Sequence, residues 1–244
     1  MKIQSFWIGE MSILEKMSLT SFVKCGYDVD VYTYSENLDV PKGVNLLDAN
    51  LILSKSRLFQ HSKKAQKGEG SWSGFSNLFR YHLLYKFGGV WSDLDIVFLK
   101  PFNFGEYTFV TERAPPRESP QLKVGSCLFA VPAYSKVMEY CVTKAEQKNP
   151  EDLQWGEIGV QLVREAEDRF NLHDFILPVN VFCPIDWWKI DQFITGSLDY
   201  VLPESCVGVH LWNEMWRRNG FDKNKTYHRN SIVEKLKRNV FTLL

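Results

Sequence analysis

The sequence is bounded first by what it lacks. Its 244 residues contain no apolar run approaching the roughly 20 residues needed to span a bilayer. The opening MKIQSFWIGE has no h-region of a signal peptide. Net charge is absent too: 29 Lys and Arg balance 29 Asp and Glu, which argues against a general nucleic-acid binder. The five cysteines (Cys25, Cys127, Cys141, Cys183 and Cys206) are scattered and form no C-x-x-C pair. That pattern fits free thiols in a reducing compartment better than a disulfide framework or a zinc site. The expectation is a soluble cytoplasmic protein. Missing as well are G-x-S-x-G, H-E-x-x-H, a P-loop and G-x-G-x-x-G. Nucleophilic hydrolase and dinucleotide readings therefore have no local support.

What is present is a globular composition, 45% hydrophobic and 14% aromatic, enough to bury a large core in one domain spanning residues 1–244. KIQSFWI reads as a strand, Ser12 to Cys25 as a helix stopped by Gly26, and DVDVYTY as a second strand. This β-α-β opening predicts an α/β fold with a parallel sheet and a right-handed crossover. The Gly/Ser-rich basic stretch 54–74 reads as a mobile surface loop, either a plain solvated connection or a lid over an anion. Apolar residues at 75, 78, 79, 83, 84 and 87 have helical spacing over 74–87, and Gly88-Gly89 stops that helix. VWSDLDIVFLKPF follows as one strand and VGSCLFAVP as another. Helices are expected over 135–147 and through LQWGEIGVQLVREAEDRF, with SCVGVHLWNEMW beginning as a strand. The segment 175–200 is aromatic and punctuated by proline. Residues 217–244 form a basic helical tail, with eight Lys/Arg against Asp222 and Glu234. Trp216, Phe221 and Phe241, interleaved with those charges, suit either a peripheral membrane contact or a solvated helix.

Two acids, Asp93 and Asp95, interrupt the apolar run at 88–102. Strand alternation would point both the same way, toward one shared partner. A carboxylate pair suits a hard cation such as Mn²⁺ or Mg²⁺, which in turn neutralises a diphosphate; the plainer alternative is a solvated strand end. His210 and Asn213 offer further Mn²⁺ ligands, three residues apart in HLWN, although an ordinary core or surface histidine beside a tryptophan would also explain His210. Arg80 lies within reach of the same crevice, where an anionic donor needs a cation, although a surface ion pair would also explain it.

These stretches resemble a known family. FSNLFRYHLLYKFGGVWSDLDIVFLKPF is similar to the S-D-x-x-R-x-x-x-L-x-x-x-G-G-x-Y-x-D-x-D segment of the DXD sugar-binding glycosyltransferases, family 32. WGEIGVQLV, FCPIDWW and VHLWN resemble the α-1,4-galactosyltransferase branch, and FWIG resembles a strand shared with the family. The resemblance implies a single GT-A domain, a mostly parallel central sheet flanked by helices, that uses a UDP-sugar and Mn²⁺ and retains anomeric configuration. By motif position Asp95, His210 and Asn213 hold the metal, and Asp93 contacts the ribose or the metal's water. Trp7 stacks on uracil beside Ile8, and Trp91 replaces the usual Tyr near the nucleoside, next to Ser92. Arg80 approaches the donor sugar, and Trp212 lies among the donor contacts. Asn77 stands where the family has Asp, and Glu157-Ile158 depart from the branch's W-G-H-Q-G-P, so the donor hexose (Gal, GalNAc, Glc or GlcNAc) stays open. Glu157 is either a catalytic helper or a plain solvated helix carboxylate, no residue standing out as a covalent nucleophile. The implied acceptor is a saccharide or lipid-linked glycan, as in capsule or lipopolysaccharide synthesis at the inner face of the cytoplasmic membrane. Two alternatives remain: an effector that glycosylates a protein, or a non-catalytic nucleotide-sugar-binding module.

Overall fold

The computed structural model describes residues 2–116, 122–196 and 201–242, the side chains of residues 66 and 67 aside. The end of the aromatic segment (197–200) and the tail's residues 243–244 lie outside the described residues. A six-stranded sheet forms the middle layer, in the order β3-β2-β1-β4-β7-β6. Its strands are β1 (Lys2–Phe6), β2 (Asp28–Thr33), β3 (Val44–Asp48), β4 (Gly89–Ser92), β6 (Thr108–Arg113) and β7 (Leu122–Val131). The first four are mutually parallel, while β7 runs antiparallel to both β4 and β6. This is the expected α/β class, a mostly parallel sheet flanked by helices.

Strand alternation explains the two cores. Ile3, Val29, Val31, Val90, Leu128 and Ala130 face one way, against α1 (Ile13–Lys24) and α6 (Ile232–Phe241). Phe6, Tyr32, Trp91, Phe129 and Val131 face the other, against α2 (Ser73–Phe87), α3 (Lys136–Glu146) and α4 (Leu162–Arg169). Both faces are covered, so β2 reads as nearly continuously buried. Phe6 stacks on Phe79 at 4.3 Å between ring centroids and meets Phe75 at 5.5 Å. Such ring pairs contribute about 0.5–1.5 kcal/mol each beyond their buried area and fix α2 against the sheet.

Several boundaries differ from the sequence reading. VWSDLDIVFLKPF is not one strand. It leaves the main sheet after Ser92, turns through Asp93, Leu94 and Asp95, and resumes as β5 (Ile96–Phe98), which pairs with β8 (Gly208–His210) in a separate two-stranded sheet. The two acids therefore sit in a turn between sheets, and strand alternation does not aim them. LQWGEIGVQLVREAEDRF is not a continuous helix either: a π-turn spans Glu157–Gln161, with Gly159 at a non-helical φ of −105° and ψ of −115°, before α4 begins. The 54–74 stretch is folded rather than featureless. It holds two 3₁₀ turns, with His61 N–H donating to Ser71 O and Gly70 N–H to His61 O, both at 2.9 Å.

The basic tail at 217–244 is not one helix: its first two residues end α5 (Asn213–Arg218) and its later part forms α6. Trp216 is fully buried and Phe221 packs on it, so these aromatics serve the core, while α6 turns Ile232, Val233, Leu236 and Val240 inward. Among the described residues no helix is long and apolar enough to cross a membrane.

Candidate active site

The parallel strands run outward in opposite directions from β1 and β4: β1 leads to β2 and β3, and β4 lies on the other side. Such a switch point opens a crevice at the carboxyl ends of the two strands, the place where open α/β sheets bind ligands. The residues that follow β1 are Trp7 and Ile8, and those that follow β4 are Asp93, Leu94 and Asp95.

The β5–β8 pairing completes the arrangement. Ile96 lies opposite His210, and Leu211 N–H donates to Asp95 O at 2.7 Å. His210 Nε2 then donates to Asp95 Oδ2 at 3.2 Å, and the Asn213 backbone N–H donates to the same oxygen at 2.8 Å. Trp212 takes a left-handed conformation at φ 59°, lies against the His210 ring at 3.7 Å between centroids with the planes tilted by 37°, and donates its indole N–H to Ile185 O. This kinked segment lets His210 and Asn213 converge on Asp95 from successive elements. Asp95 Oδ1 and Asn213 Oδ1 are both buried and have no hydrogen-bond partner. Two orphaned oxygens beside an imidazole form a donor set that fits a hard divalent cation.

Glu15, which the sequence reading passed over, orients Asn213. One of its oxygens accepts from Ser12 N–H at 2.7 Å and closes the N-terminal cap of α1. The other accepts from Asn213 Nδ2 at 2.7 Å and Lys223 Nζ at 2.9 Å, which turns Asn213 Oδ1 away. The S-x-x-E spacing at 12–15 is the signal that could have found the cap, but it carries no trace of this second use.

Asp93 belongs to a different network. Its Oδ1 accepts from Arg80 Nη2 at 2.9 Å and from the Trp91 indole N–H at 2.8 Å. Arg80 is 3% exposed, lies 4.7 Å over the Trp91 ring, and also donates to Ser126 O. The surface-ion-pair alternative for Arg80 is thus wrong, because the cation is buried. Trp91 itself is 1% exposed, so it presents Asp93 and has no face open to a nucleoside. Ser92 is buried and its hydroxyl donates to Asp93 O at 3.0 Å.

Burial pushes the Asp93 carboxyl up to about 6, against the pull of Arg80. Burial also works to raise Asp95, but His210 and the Asn213 N–H outweigh it and hold that carboxyl below its ordinary range. His210 is raised well above the usual imidazole value: burial opposes the charge, and Cys127 and Asp95 overcome it.

Trp7 is half-buried, donates its indole N–H to Glu10 O at 3.3 Å, and has Lys223 Nζ 6.0 Å from its ring. Ile8 packs at the edge of the α2-side core. Asn77 is buried beside Gly159, where an added Cβ would come within 2.9 Å of Asn77 Nδ2. Glu157 stands apart from the Asp95 cluster in its contacts, held by Lys148 Nζ at 2.5 Å and the Gln154 N–H at 3.0 Å.

Residues 13–110 match the family model described as "Glycosyltransferase sugar-binding region containing DXD motif". The matched segment is less than half of the chain and includes Arg80, Asp93 and Asp95. It supports a transferase, the enzyme class expected from the sequence. No curated protein matches the chain. Among solved structures, the chain is similar to the PaToxG glycosyltransferase at 18% identity, covering 69% of each chain with a TM-score of 0.45. It is also similar to the apo form of the glycosyltransferase GlyE from Streptococcus pneumoniae TIGR4, at 11% identity and a TM-score of 0.49. That match covers 98% of this chain and 60% of GlyE.

Proposed function

We propose that the chain is a metal-dependent, retaining glycosyltransferase that moves a hexose from a UDP-sugar to a saccharide hydroxyl. One observation carries the reading. Asp95 Oδ1 and Asn213 Oδ1 are buried without partners beside His210, at the crevice where the carboxyl ends of β1 and β4 part. Asp95, His210 and Asn213 would hold Mn²⁺ or Mg²⁺, which neutralises a departing diphosphate when bound. Trp7 supplies the aromatic face for uracil, with Lys223 as an adjoining cation. Arg80 holds Asp93 at the crevice rather than reaching the donor itself, and Asn77 lines the sugar side together with the 156–161 turn. Glu157 serves as a helper at the acceptor end. The α2-side and α1-side packing fix these groups before substrate arrives, which suits electrostatic stabilisation of the leaving group. No side chain is poised as a covalent nucleophile among these groups. The route proposed is a front-face transfer in which the leaving phosphate oxygen takes the acceptor proton. The acceptor proposed is a glycan of capsule or lipopolysaccharide synthesis, and the exposed basic residues of the tail, Lys225, Arg229 and Arg238, give it a surface to meet an anionic membrane.

The test is a hydrolysis screen of UDP-Gal, UDP-Glc, UDP-GalNAc and UDP-GlcNAc with and without Mn²⁺. One donor should be hydrolysed only with metal, and Asp95→Ala and His210→Ala should abolish that activity. A chain that binds UDP but hydrolyses none of the four is a binding module. One that binds no UDP in the presence of Mn²⁺ overturns the proposal.

A further inference from the structure

The cysteines are scattered in the sequence, yet the fold brings two of them together behind the candidate active site. Cys127 Sγ, Cys183 Sγ and a ring nitrogen of His210 all lie within 4.8 Å of one another, and all three residues are buried. The His210 Nδ1 to Cys183 Sγ distance is 3.8 Å. Zinc bonded to sulfur at about 2.3 Å and to nitrogen at about 2.0 Å in tetrahedral geometry requires ligand atoms roughly 3.5–3.8 Å apart. The cluster is within about an ångström of that requirement.

Three backbone links set the spacing. Asp93 N–H donates to Cys127 O on β7 at 2.7 Å, Cys183 N–H donates to Val179 O at 2.8 Å, and His210 N–H donates to Phe182 O at 2.9 Å. The thiol pair therefore lies on the Nδ1 edge of the same imidazole whose Nε2 edge meets Asp95.

We propose that Cys127, Cys183 and His210 Nδ1 form a site for a thiophilic cation of the Zn²⁺ class, and that filling it excludes a hard cation from the Asp95 side. Sulfur ligands select Zn²⁺ over Mn²⁺ or Mg²⁺, so the two edges of one ring have opposite preferences. Binding is balanced by release of three protons, one from each thiol and one from Nδ1 of the protonated His210 ring, as two thiolate–metal bonds and one nitrogen–metal bond form. A neutral imidazole has a single lone pair. Once Nδ1 donates it to Zn²⁺, Nε2 keeps its proton and its hydrogen bond to Asp95 Oδ2, and it cannot ligate a second cation. Occupation by Zn²⁺ thus switches off the hard-cation site. The thiophilic site stands on its own geometry; only the switching rests on the function proposed above.

The experiment uses reduced full-length chain with Co²⁺ as the spectroscopic probe for Zn²⁺. One equivalent should produce a sulfur-to-metal charge-transfer band that is lost in Cys127→Ser and in Cys183→Ser and kept in Cys25→Ser and Cys206→Ser. Because the buried serines could unfold the chain, zinc X-ray absorption on the native sequence provides an independent reading. Two sulfurs and at least one imidazole nitrogen are expected, and a shell of oxygen and nitrogen alone overturns the site. Manganese paramagnetic resonance then reads the exclusion. Saturating Zn²⁺ should abolish Mn²⁺ binding by the native chain, whereas both cations bound together would overturn the switch. Absence of Mn²⁺ binding even without Zn²⁺ refutes the glycosyltransferase reading, and the charge-transfer band still decides the thiol site.

Discussion

Asp95 and Asn213 are joined by a 2.8 Å bond from the Asn213 backbone N–H to Asp95 Oδ2, while each keeps one buried side-chain oxygen without a partner. Buried oxygens are costly to leave unpaired, and under the proposed function a cation completes this pair. Asp95→Asn keeps the shape but replaces one carboxylate oxygen by an amide. Loss of a ligand should weaken Mn²⁺ binding by about 100-fold, the upper end of what even indirect partners of a metal contribute. Isothermal titration with Mn²⁺, checked against the far-ultraviolet spectrum of the variant, measures it. Unchanged affinity would remove Asp95 from the site.

Glu15 uses its two oxygens on opposite duties, capping α1 through Ser12 and holding the Asn213 amide and Lys223. Glu15→Gln retains one acceptor, so it can serve only one of the two sides, and glutamine is itself a good capping-box residue. The helix should survive while Asn213 loses its orientation. We expect Mn²⁺ affinity to fall by about 10-fold with little change in unfolding midpoint. A large loss of stability with unaltered affinity would make Glu15 a structural residue only.

Much of this site was legible in the sequence, and the reasons for the gaps are physical. The β-α-β opening, the 74–87 helix and the Gly88-Gly89 stop all follow from local periodicity and glycine, and they placed Arg80 and the two acids on neighbouring elements. His210 and Asn213 were legible through the HLWN spacing only because a family pattern stood behind it. The break at Asp93–Asp95 was not legible. A run rich in Val, Ile and Leu reads as one strand, and only the distant partner, β8, reveals that residues 96–98 belong to another sheet. The same limit hid the convergence of Cys127 with Cys183 and the second bond of Glu15. Each depends on residues far apart in the chain, about which local spacing carries no information. Trp91 was misread for a related reason: its motif position suggests a nucleoside contact, whereas its strand parity turns it into the core beneath Arg80.

The junction between Arg80's helix and the acidic turn depends on two residues of positive φ, Gly88 at 61° and Gly89 at 91°. A Cβ at Gly88 would lie 2.3 Å from the backbone N of Ala133, with no flexible side chain to yield. Gly88→Ala should therefore destabilise the fold by at least about 2 kcal/mol, combining left-handed strain with backbone overlap. Urea unfolding reads this as a lower midpoint at unchanged slope. A loss below about 0.5 kcal/mol would show that the junction relaxes freely.

Arg80 and Asp93 are partners whose separation leaves an uncompensated charge. The guanidinium is 3% exposed on its side chain and Asp93 30%. Arg80→Met keeps volume but leaves the Ser126 carbonyl unpaired and a partly exposed carboxylate without its cation, and should destabilise by about 1–3 kcal/mol, the cost of an unsatisfied polar group. Adding Asp93→Asn to that variant should recover part of the loss. Additive effects of the two substitutions in a double-mutant cycle would show that the pair is not coupled.

His61 supplies a pH dependence remote from the crevice. It is 4% exposed, its Nδ1 has no partner, and its ring lies 5.5 Å from that of Trp155. Burial lowers its basicity below the ordinary 6.5, and the Glu214 carboxylate offsets only part of this. The unfolded chain consequently binds more protons at this position than the folded one as the medium turns acidic. Stability from a neutral buried His61 is complete above the unfolded value and declines as pH falls through about 6.5. His61→Gln removes the titration, whatever its own cost in packing. The stability difference between parent and variant, from urea unfolding at pH 7.5 and 5.5, should therefore move in the variant's favour at the lower pH. A difference that stays constant across the two pH values would mean that His61 titrates alike in both states, and that its burial costs the protonated form nothing.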